Sequence, residues 1–133
     1  MPTFEVDTTK IPAFKVEDTY LFKHYFDEED VFTLLQEYYL QDKYRFEIPA
    51  SDYTKVQQQL ENYFYELQRE DDLTPYCVVV EKGTDYADIL RNAVLTKERS
   101  GHLIFLLKDN LSVEQAVEHG AIRLAESTLN EDI

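Results

Sequence analysis

Two continuous apolar runs in the second half of the chain constrain its fold more than any other feature. Residues 77–80 (CVVV) and 102–107 (HLIFLL) are apolar throughout, apart from His102. A strand with apolar side chains at successive positions is buried on both faces, which is typical of the centre of a parallel sheet. Apolar residues at helical spacing over residues 86–94 predict a helix between the runs. Strand, helix and strand within about 32 residues suits a right-handed βαβ crossover between parallel neighbours.

The first half of the chain alternates between strand and helix patterns. Residues 19–26 and 43–48 place large apolar side chains at every second position, which is the period of a strand. Residues 27–40 and 51–67 repeat apolar side chains at steps of three and four, which predicts two amphipathic helices. Residues 1–18 hold two prolines and a short apolar alternation, so an extended arm or an edge strand is predicted there.

A last helix and a last strand are predicted near the end of the chain. Ser112 and Gln115 match a capping box, and Gly120 suits the end of the helix. Residues 121–125 predict an edge strand. Together the patterns predict an α/β fold with a mixed sheet of about five strands, a parallel centre and about four helices packed on it.

Length and apolar content favour one domain in a soluble, cytoplasmic protein. The chain has 133 residues, of which 44% are hydrophobic, so a single domain is predicted over residues 1–133. No stretch approaches the roughly 18 apolar residues of a membrane span, and residues 1–10 lack a leader pattern. Cys77 is the only cysteine and lies in an apolar run, which predicts a buried structural thiol.

The charge of the chain narrows the classes of partner. Acidic residues outnumber basic ones by 27 to 13, which gives a formal net charge of −14. Such a surface repels nucleic-acid backbones and anionic lipid, so neither nucleic acid nor membrane is expected as a direct partner. The acids are denser in residues 1–72, which hold 17 of the 27, and 16 of the 18 Phe and Tyr residues lie at or before Tyr76.

A ligand site is predicted at the loops that follow the two apolar runs. The carboxyl ends of parallel strands meet at one sheet edge, where ligands of open α/β sheets bind. Helix amino termini beside a lysine can hold a small anion or a phosphate, although the same residue types also serve as caps and turns. The predicted ligand-binding residues are Lys82, Gly83, Thr84, Asp85, Lys108, Asp109, Asn110 and Ser112.

No catalytic residue, metal site or cofactor is predicted. Asp85, Asp88 and Asp109 have the oxygen ligands that Mg²⁺ prefers, but they match no metal motif and a chance trio is expected among 27 acids. The three histidines lack metal-ligand spacing, and the context of Cys77 does not favour an activated thiolate. The chain is therefore expected to be non-enzymatic.

The abundance of tyrosine predicts an interaction surface. Tyrosine combines an apolar ring with a polar hydroxyl and is favoured at protein interfaces. Tyr39 and Tyr65 lie beside the predicted core positions of their helices rather than on them, so we expect both on the surface. Their partner would be another protein or a second copy of the chain. The alternative is that the tyrosines fill a core whose rims are in contact with water.

Two segments resemble known proteins in character. Residues 86–92 (YADILRN) and 112–120 (SVEQAVEHG), together with the acid surplus, resemble small, uncharacterised acidic proteins of halophilic archaea. The resemblance implies a salt-adapted cytoplasm, in which the negative surface serves solvation and requires no partner.

The sequence therefore favours a non-enzymatic binding or protein-interaction module. One alternative is a binder of small anions or nucleotides, or an enzyme acting on them, at the 82–85 and 108–112 loops. A second alternative is a nucleic-acid mimic, which requires carboxylates at phosphate-like spacing on one face of the protein.

Overall fold

The computed structural model describes residues 8–83 and 85–127 of the chain. The chain divides into two compact units, Met1–Arg69 and Glu70–Ile133, and each unit has its own hydrophobic core. The single domain predicted over residues 1–133 stays a prediction. In the described part of the chain, no helix combines the length and the apolar character that crossing a lipid bilayer requires.

The first unit is built on a mixed five-stranded sheet with two short helices. The strand order is β3–β4–β2–β1–β5. The pairs β1–β2, β2–β4 and β3–β4 are antiparallel, and β1 and β5 form the parallel pair. The elements are β1 (Thr9–Val16), β2 (Thr19–Phe22), α1 (Glu29–Leu35), β3 (Tyr39–Leu40), β4 (Arg45–Pro49), α2 (Tyr53–Glu61) and β5 (Tyr65–Glu70).

Strand β1 occupies most of the segment for which an arm or edge strand was predicted. Residues 1–7 lie outside the described residues. The edge-strand prediction is wrong because β1 lies between β2 and β5 and is an inner strand of the sheet. Its central residues Ile11, Ala13 and Phe14 are buried, and Ile11 and Ala13 belong to the core of the first unit.

The second unit is built on a four-stranded antiparallel sheet in the order β7–β8–β6–β9. Residues Leu103 to Leu107 of β8 are all buried, so the prediction that this run is buried on both faces is confirmed. The elements are β6 (Cys77–Glu81), α3 (Ala87–Arg91), β7 (Ala93–Arg99), β8 (His102–Leu107), α4 (Asn110–Glu118) and β9 (Ile122–Arg123).

The α/β content, the mixed five-stranded sheet and the four helices are confirmed, but the predicted parallel βαβ crossover is wrong. Strands β6 and β8 are antiparallel, with Glu81 opposite His102 and Cys77 opposite Leu106. The cause is a hairpin between β7 and β8. Ser100 and Gly101 have φ angles of 51° and 79°, as a two-residue type I′ turn requires. This additional strand reverses the direction in which β8 runs beside β6.

Helix α4 is capped by Asp109, whereas the sequence predicted Ser112 as the capping residue. An Asp109 carboxylate oxygen, Oδ1, accepts a 2.8 Å hydrogen bond from the backbone N–H of Ser112. We therefore expect Asp109→Ala to lower the free energy of unfolding by about 1 kcal/mol. Asp109→Asn retains a capping oxygen and should cost much less in the same urea titration. Equal losses for the two variants would contradict the capping role.

Candidate functional site

The two loops predicted to bind a ligand lie at opposite ends of the β6–β8 ladder. Because Glu81 pairs with His102, the loop after β6 lies where β8 begins. The loop after β8 lies beside the first residue of β6, about 17 Å away along five strand residues. The shared sheet edge that the sequence predicted is therefore wrong. Ligand binding by either loop alone stays a prediction.

The residues of the first loop make turn, capping and surface contacts. Lys82 Nζ lies 2.7 Å from Glu98 Oε1 in an exposed ion pair, and the Lys82 backbone N–H donates to the Gly101 carbonyl. Asp85 Oδ1 accepts a 3.3 Å hydrogen bond from the backbone N–H of Ala87 at the start of α3. Gly83 has a φ of 98°, and Thr84 lies outside the described residues.

Residues of the second loop likewise form the start of a helix, α4. Asp109 caps α4, and Asn110 is its exposed first residue. The backbone N–H of Lys108 donates to the carbonyl of Asn92. Ser112 differs from the others because it is buried, with 4% of its surface exposed.

Neither tyrosine predicted for an interaction surface is freely exposed. Tyr65 is 8% exposed, and its hydroxyl donates a 2.8 Å hydrogen bond to Glu28 Oε2. Its predicted surface position is wrong because Tyr65 begins strand β5, where it and Leu67 share the core face, instead of continuing helix α2. Tyr39 is half-buried, with its ring 4.9 Å from that of Phe46.

Other aromatic residues of the first unit are exposed together at one end of its sheet. Tyr25 is 83% exposed, Tyr44 64% and Phe64 53%, and Tyr63 is 37% exposed. We call these four residues the aromatic edge. Sequence periodicity did not single them out, because period alone does not distinguish a core aromatic residue from one that lies just beyond the end of a strand.

Strand pairing places the aromatic edge along one end of the sheet. Tyr44 immediately precedes β4, and Tyr25 follows β2, whose last residue Phe22 pairs with Phe46 of β4. Phe64 immediately precedes β5, and its carbonyl accepts a 2.9 Å hydrogen bond from the backbone N–H of Thr9, the first residue of β1. Strands β4, β2, β1 and β5 are consecutive neighbours, so Tyr44 and Phe64 are separated by about 14 Å across the sheet.

Two residues of the aromatic edge hold a backbone conformation that bulky side chains disfavour. Tyr44 has a φ of 54° and Phe64 a φ of 66°, in the left-handed region. This conformation costs a residue with a Cβ about 1–2 kcal/mol, and turns of this kind normally carry glycine or asparagine. An exposed aromatic side chain gains little burial to offset that cost. Retained strain at an exposed position is a feature of functional surfaces.

Carboxylates surround the aromatic edge. Asp27, Glu28, Glu29 and Asp30 are exposed in the segment that follows Tyr25 and Phe26. Asp42 and Glu61, each two residues before an edge tyrosine, are also exposed. The basic residues beside the edge are the exposed Lys10 and Lys43 and the half-buried Lys23 and Arg45, and Arg45 pairs with Glu47. They are fewer than the carboxylates. The edge therefore combines apolar rings with a negative potential.

The described residues offer little for metal binding or covalent catalysis. Within the described ranges, no group of three His, Cys, Asp or Glu residues is placed to hold a metal ion. Cys77 is buried, as predicted, and its thiol donates to the Leu73 carbonyl. Burial, with a smaller contribution from Asp72, raises the pKa of this thiol to about 12, so it is not a thiolate at neutral pH.

No protein-family model, curated protein or solved structure matches this chain. The likeness to acidic proteins of halophilic archaea stays a prediction. Function is therefore inferred from the residues of the two units themselves.

Proposed function

We propose that the chain is a protein-interaction module whose aromatic edge binds a basic, extended polypeptide segment. The observation that carries the proposal is the placement of Tyr44 and Phe64, exposed at the same end of one sheet and both in strained backbone. A segment rich in arginine and lysine offers both kinds of group that this surface favours. Its cations pair with the surrounding carboxylates, and its side chains stack on the rings.

An arginine of the chain itself shows the contact that we propose. The guanidinium carbon of Arg69 lies 4.5 Å from the ring centre of Tyr53 and 5.8 Å from that of Tyr20. Cation–π contacts of this kind stabilise by about 0.5–1 kcal/mol at exposed sites, and more where the pair is desolvated. Several such contacts along the edge suffice for a specific, salt-sensitive complex.

The charge of the edge argues against two other occupants, a nucleic acid and a second copy of the chain. A nucleic-acid backbone is repelled by the carboxylates that flank the rings. A second copy would bring the same carboxylates against each other across a two-fold interface. Both units share the acid excess, since residues 1–69 hold 14 acids against 7 bases and residues 70–133 hold 13 against 6. Because the excess is not confined to the unit that carries the aromatic edge, we assign it as a whole to solvation of the surface.

The proposal is tested with a fluorescently labelled peptide rich in arginine and lysine. We expect the variant Tyr25→Ser/Tyr44→Asn/Phe64→Asn to bind it at least about tenfold more weakly than the wild type, since several cation–π contacts are lost. Fluorescence anisotropy at two salt concentrations gives the affinity, and a glutamate-rich peptide of equal length is the negative control. Asparagine tolerates the left-handed region, so the two asparagine substitutions should leave the stability equal or raised by about 1 kcal/mol.

Glu17 provides a matched control at the other end of the same sheet. It lies in the turn between β1 and β2, is exposed and has a φ of 57°. Glu17→Asn relieves the same strain without touching the aromatic edge, so it should not weaken peptide binding. Unchanged binding by the triple variant, or an equal loss in Glu17→Asn, would refute the proposed site.

A further inference from the structure

The outer strand of the sheet in the second unit, β7, has an open edge. Among the strands that the structure describes, β7 pairs with β8 on one side and with no strand on the other. The strand spans Ala93–Arg99, and Thr96, Glu98 and Arg99 are exposed. An open strand edge of this length is a template on which another extended segment can form a further strand of the sheet.

The register of the β7–β8 hairpin identifies the backbone groups that face this edge. Along an antiparallel pair, hydrogen-bonded and non-hydrogen-bonded positions alternate. Arg99 and His102 flank the two-residue turn and so form a hydrogen-bonded pair. Glu98 and Thr96 lie one and three residues before Arg99, at non-hydrogen-bonded positions. The N–H and C=O groups of Thr96 and Glu98 therefore point away from β8, towards the open edge.

The chain around this edge is basic, although the protein as a whole is acidic. Residues 91–108 hold four bases against one acid, which gives this segment a formal charge of +3 in a chain of −14. The acid, Glu98, lies 2.7 Å from the ammonium group of Lys82. The four bases are Arg91, Lys97, Arg99 and Lys108. An acidic segment is therefore attracted to this edge and repelled by the rest of the surface.

The alternation of side chains along β7 defines where the carboxylates of such a segment belong. Lys97 and Arg99 lie on one face of the sheet, and Thr96 and Glu98 lie on the other. A strand added beside β7 lies about 4.8 Å away and places its own side chains next to these. Carboxylates at every second residue therefore align with Lys97 and Arg99. The residues between them adjoin Glu98, where uncharged β-branched side chains suit a strand.

We propose that the open edge of β7 binds, by strand addition, an extended segment of another protein in which acidic and β-branched residues alternate. Backbone hydrogen bonds to Thr96 and Glu98 hold the segment, and Lys97 selects its charge. A second copy fits less well, because antiparallel pairing of β7 with itself about Lys97 opposes two lysines and pairing about Glu98 opposes two glutamates. The proposal does not depend on the aromatic edge, which belongs to the first unit.

The probe is a fluorescently labelled peptide as long as β7 in which glutamate alternates with valine, and fluorescence anisotropy of the full chain measures its affinity. We expect Thr96→Pro to weaken binding at least about tenfold, because proline removes an N–H that faces the open edge and is not used by β8. Lys97→Glu should weaken binding at least about fivefold. Lys55→Glu is the matched control, since Lys55 is exposed on α2 and its replacement changes the net charge equally. It should change the affinity by less than about twofold.

Amide hydrogen exchange locates the bound peptide on the wild-type protein. With saturating peptide, the amide protons of Thr96 and Glu98 should exchange at least about tenfold more slowly. The amide of Lys97, which is bonded to β8, should change little. A peptide of the same sequence that is N-methylated at every residue keeps the charge but has no backbone donors, so it should bind at least about tenfold more weakly.

Three results would overturn the proposal. Unchanged exchange at Thr96 and Glu98, or equal affinity for the N-methylated peptide, would show general charge attraction. Equal protection of both amides by a single-stranded oligonucleotide would show a surface for polyanions. Slow exchange of both amides without peptide, with a dimer mass in light scattering, would show that a second copy occupies the edge. Since Thr96→Pro closes the β7 edge, the glutamate-rich control for the aromatic edge is measured in that variant, and either proposal can fail alone.

Discussion

Replacement of Phe46 by alanine should lower the free energy of unfolding by about 4 kcal/mol. Phe46 is 1% exposed and lies at the centre of the aromatic core of the first unit. Its ring stacks on Phe22 with centroids 4.9 Å apart, and the rings of Phe26 and Tyr39 lie 5.7 and 4.9 Å away. The substitution removes these contacts and leaves a cavity that surrounding rings fill only in part.

Urea unfolding of the full chain measures this loss. Phe46→Leu is the graded control, because it keeps most of the apolar volume and should cost well under half as much. Since small domains are stable by about 5–15 kcal/mol, the alanine variant should show a large shift of the unfolding midpoint. A loss below about 1 kcal/mol in Phe46→Ala would mean that the core collapses around the missing ring.

Strong local patterns predicted most of the individual elements but not how the strands pair. Residues 51–67 show helical spacing throughout, yet the helix α2 ends at Glu61 and strand β5 begins at Tyr65. Tyr65 and Leu67 satisfy the strand period, but Leu67 also continues the helical spacing from Tyr63 and Phe64, so spacing alone could not decide. The left-handed backbone at Phe64, which separates the two elements, has no signal in its residue type.

The error in the second unit also arose from a turn. The dipeptide Ser100-Gly101 precedes the apolar run of β8, and residues 93–99 make a strand that pairs with it. Recognising that turn would have predicted a hairpin and hence an antiparallel β8. Its omission led to the parallel crossover, and with it to a shared edge for the loops at Lys82 and Lys108.

The sequence predicted that exposed aromatic residues form a surface, but it did not predict which residues these are. The excess of tyrosine correctly indicated that some rings are exposed, but Tyr65 is buried. Tyr39 is half-buried, and its part in an interaction surface stays a prediction. Exposure depends on where a strand ends, which the register between strands determines. Ser112 was among the residues predicted to bind a ligand in an open loop, but it lies buried on helix α4.

Tyrosine ionisation should make the protein unusually sensitive to alkali between about pH 10 and pH 12. Burial, followed by hydrogen bonds to Asp52, Glu28 and Glu70, raises the pKa of Tyr38, Tyr65 and Tyr76 respectively from 10.0 to about 12. A raised pKa in the folded state means that the unfolded state releases the proton first. The stabilisation is therefore complete below pH 10 and is lost as the pH approaches 12.

The variant Tyr38→Phe/Tyr65→Phe/Tyr76→Phe isolates this effect, because phenylalanine cannot ionise. At neutral pH the variant should be less stable by about 1 kcal/mol for each lost hydrogen bond. Between pH 10 and 12 its free energy of unfolding should fall less steeply than that of the wild type, and the two curves should converge or cross. Cys77, whose pKa is also raised to about 12, is present in both proteins and cancels in the comparison. Urea unfolding at several pH values, with phenolate absorbance as a second signal, makes the measurement, and parallel curves would show that these hydroxyls do not control alkaline stability.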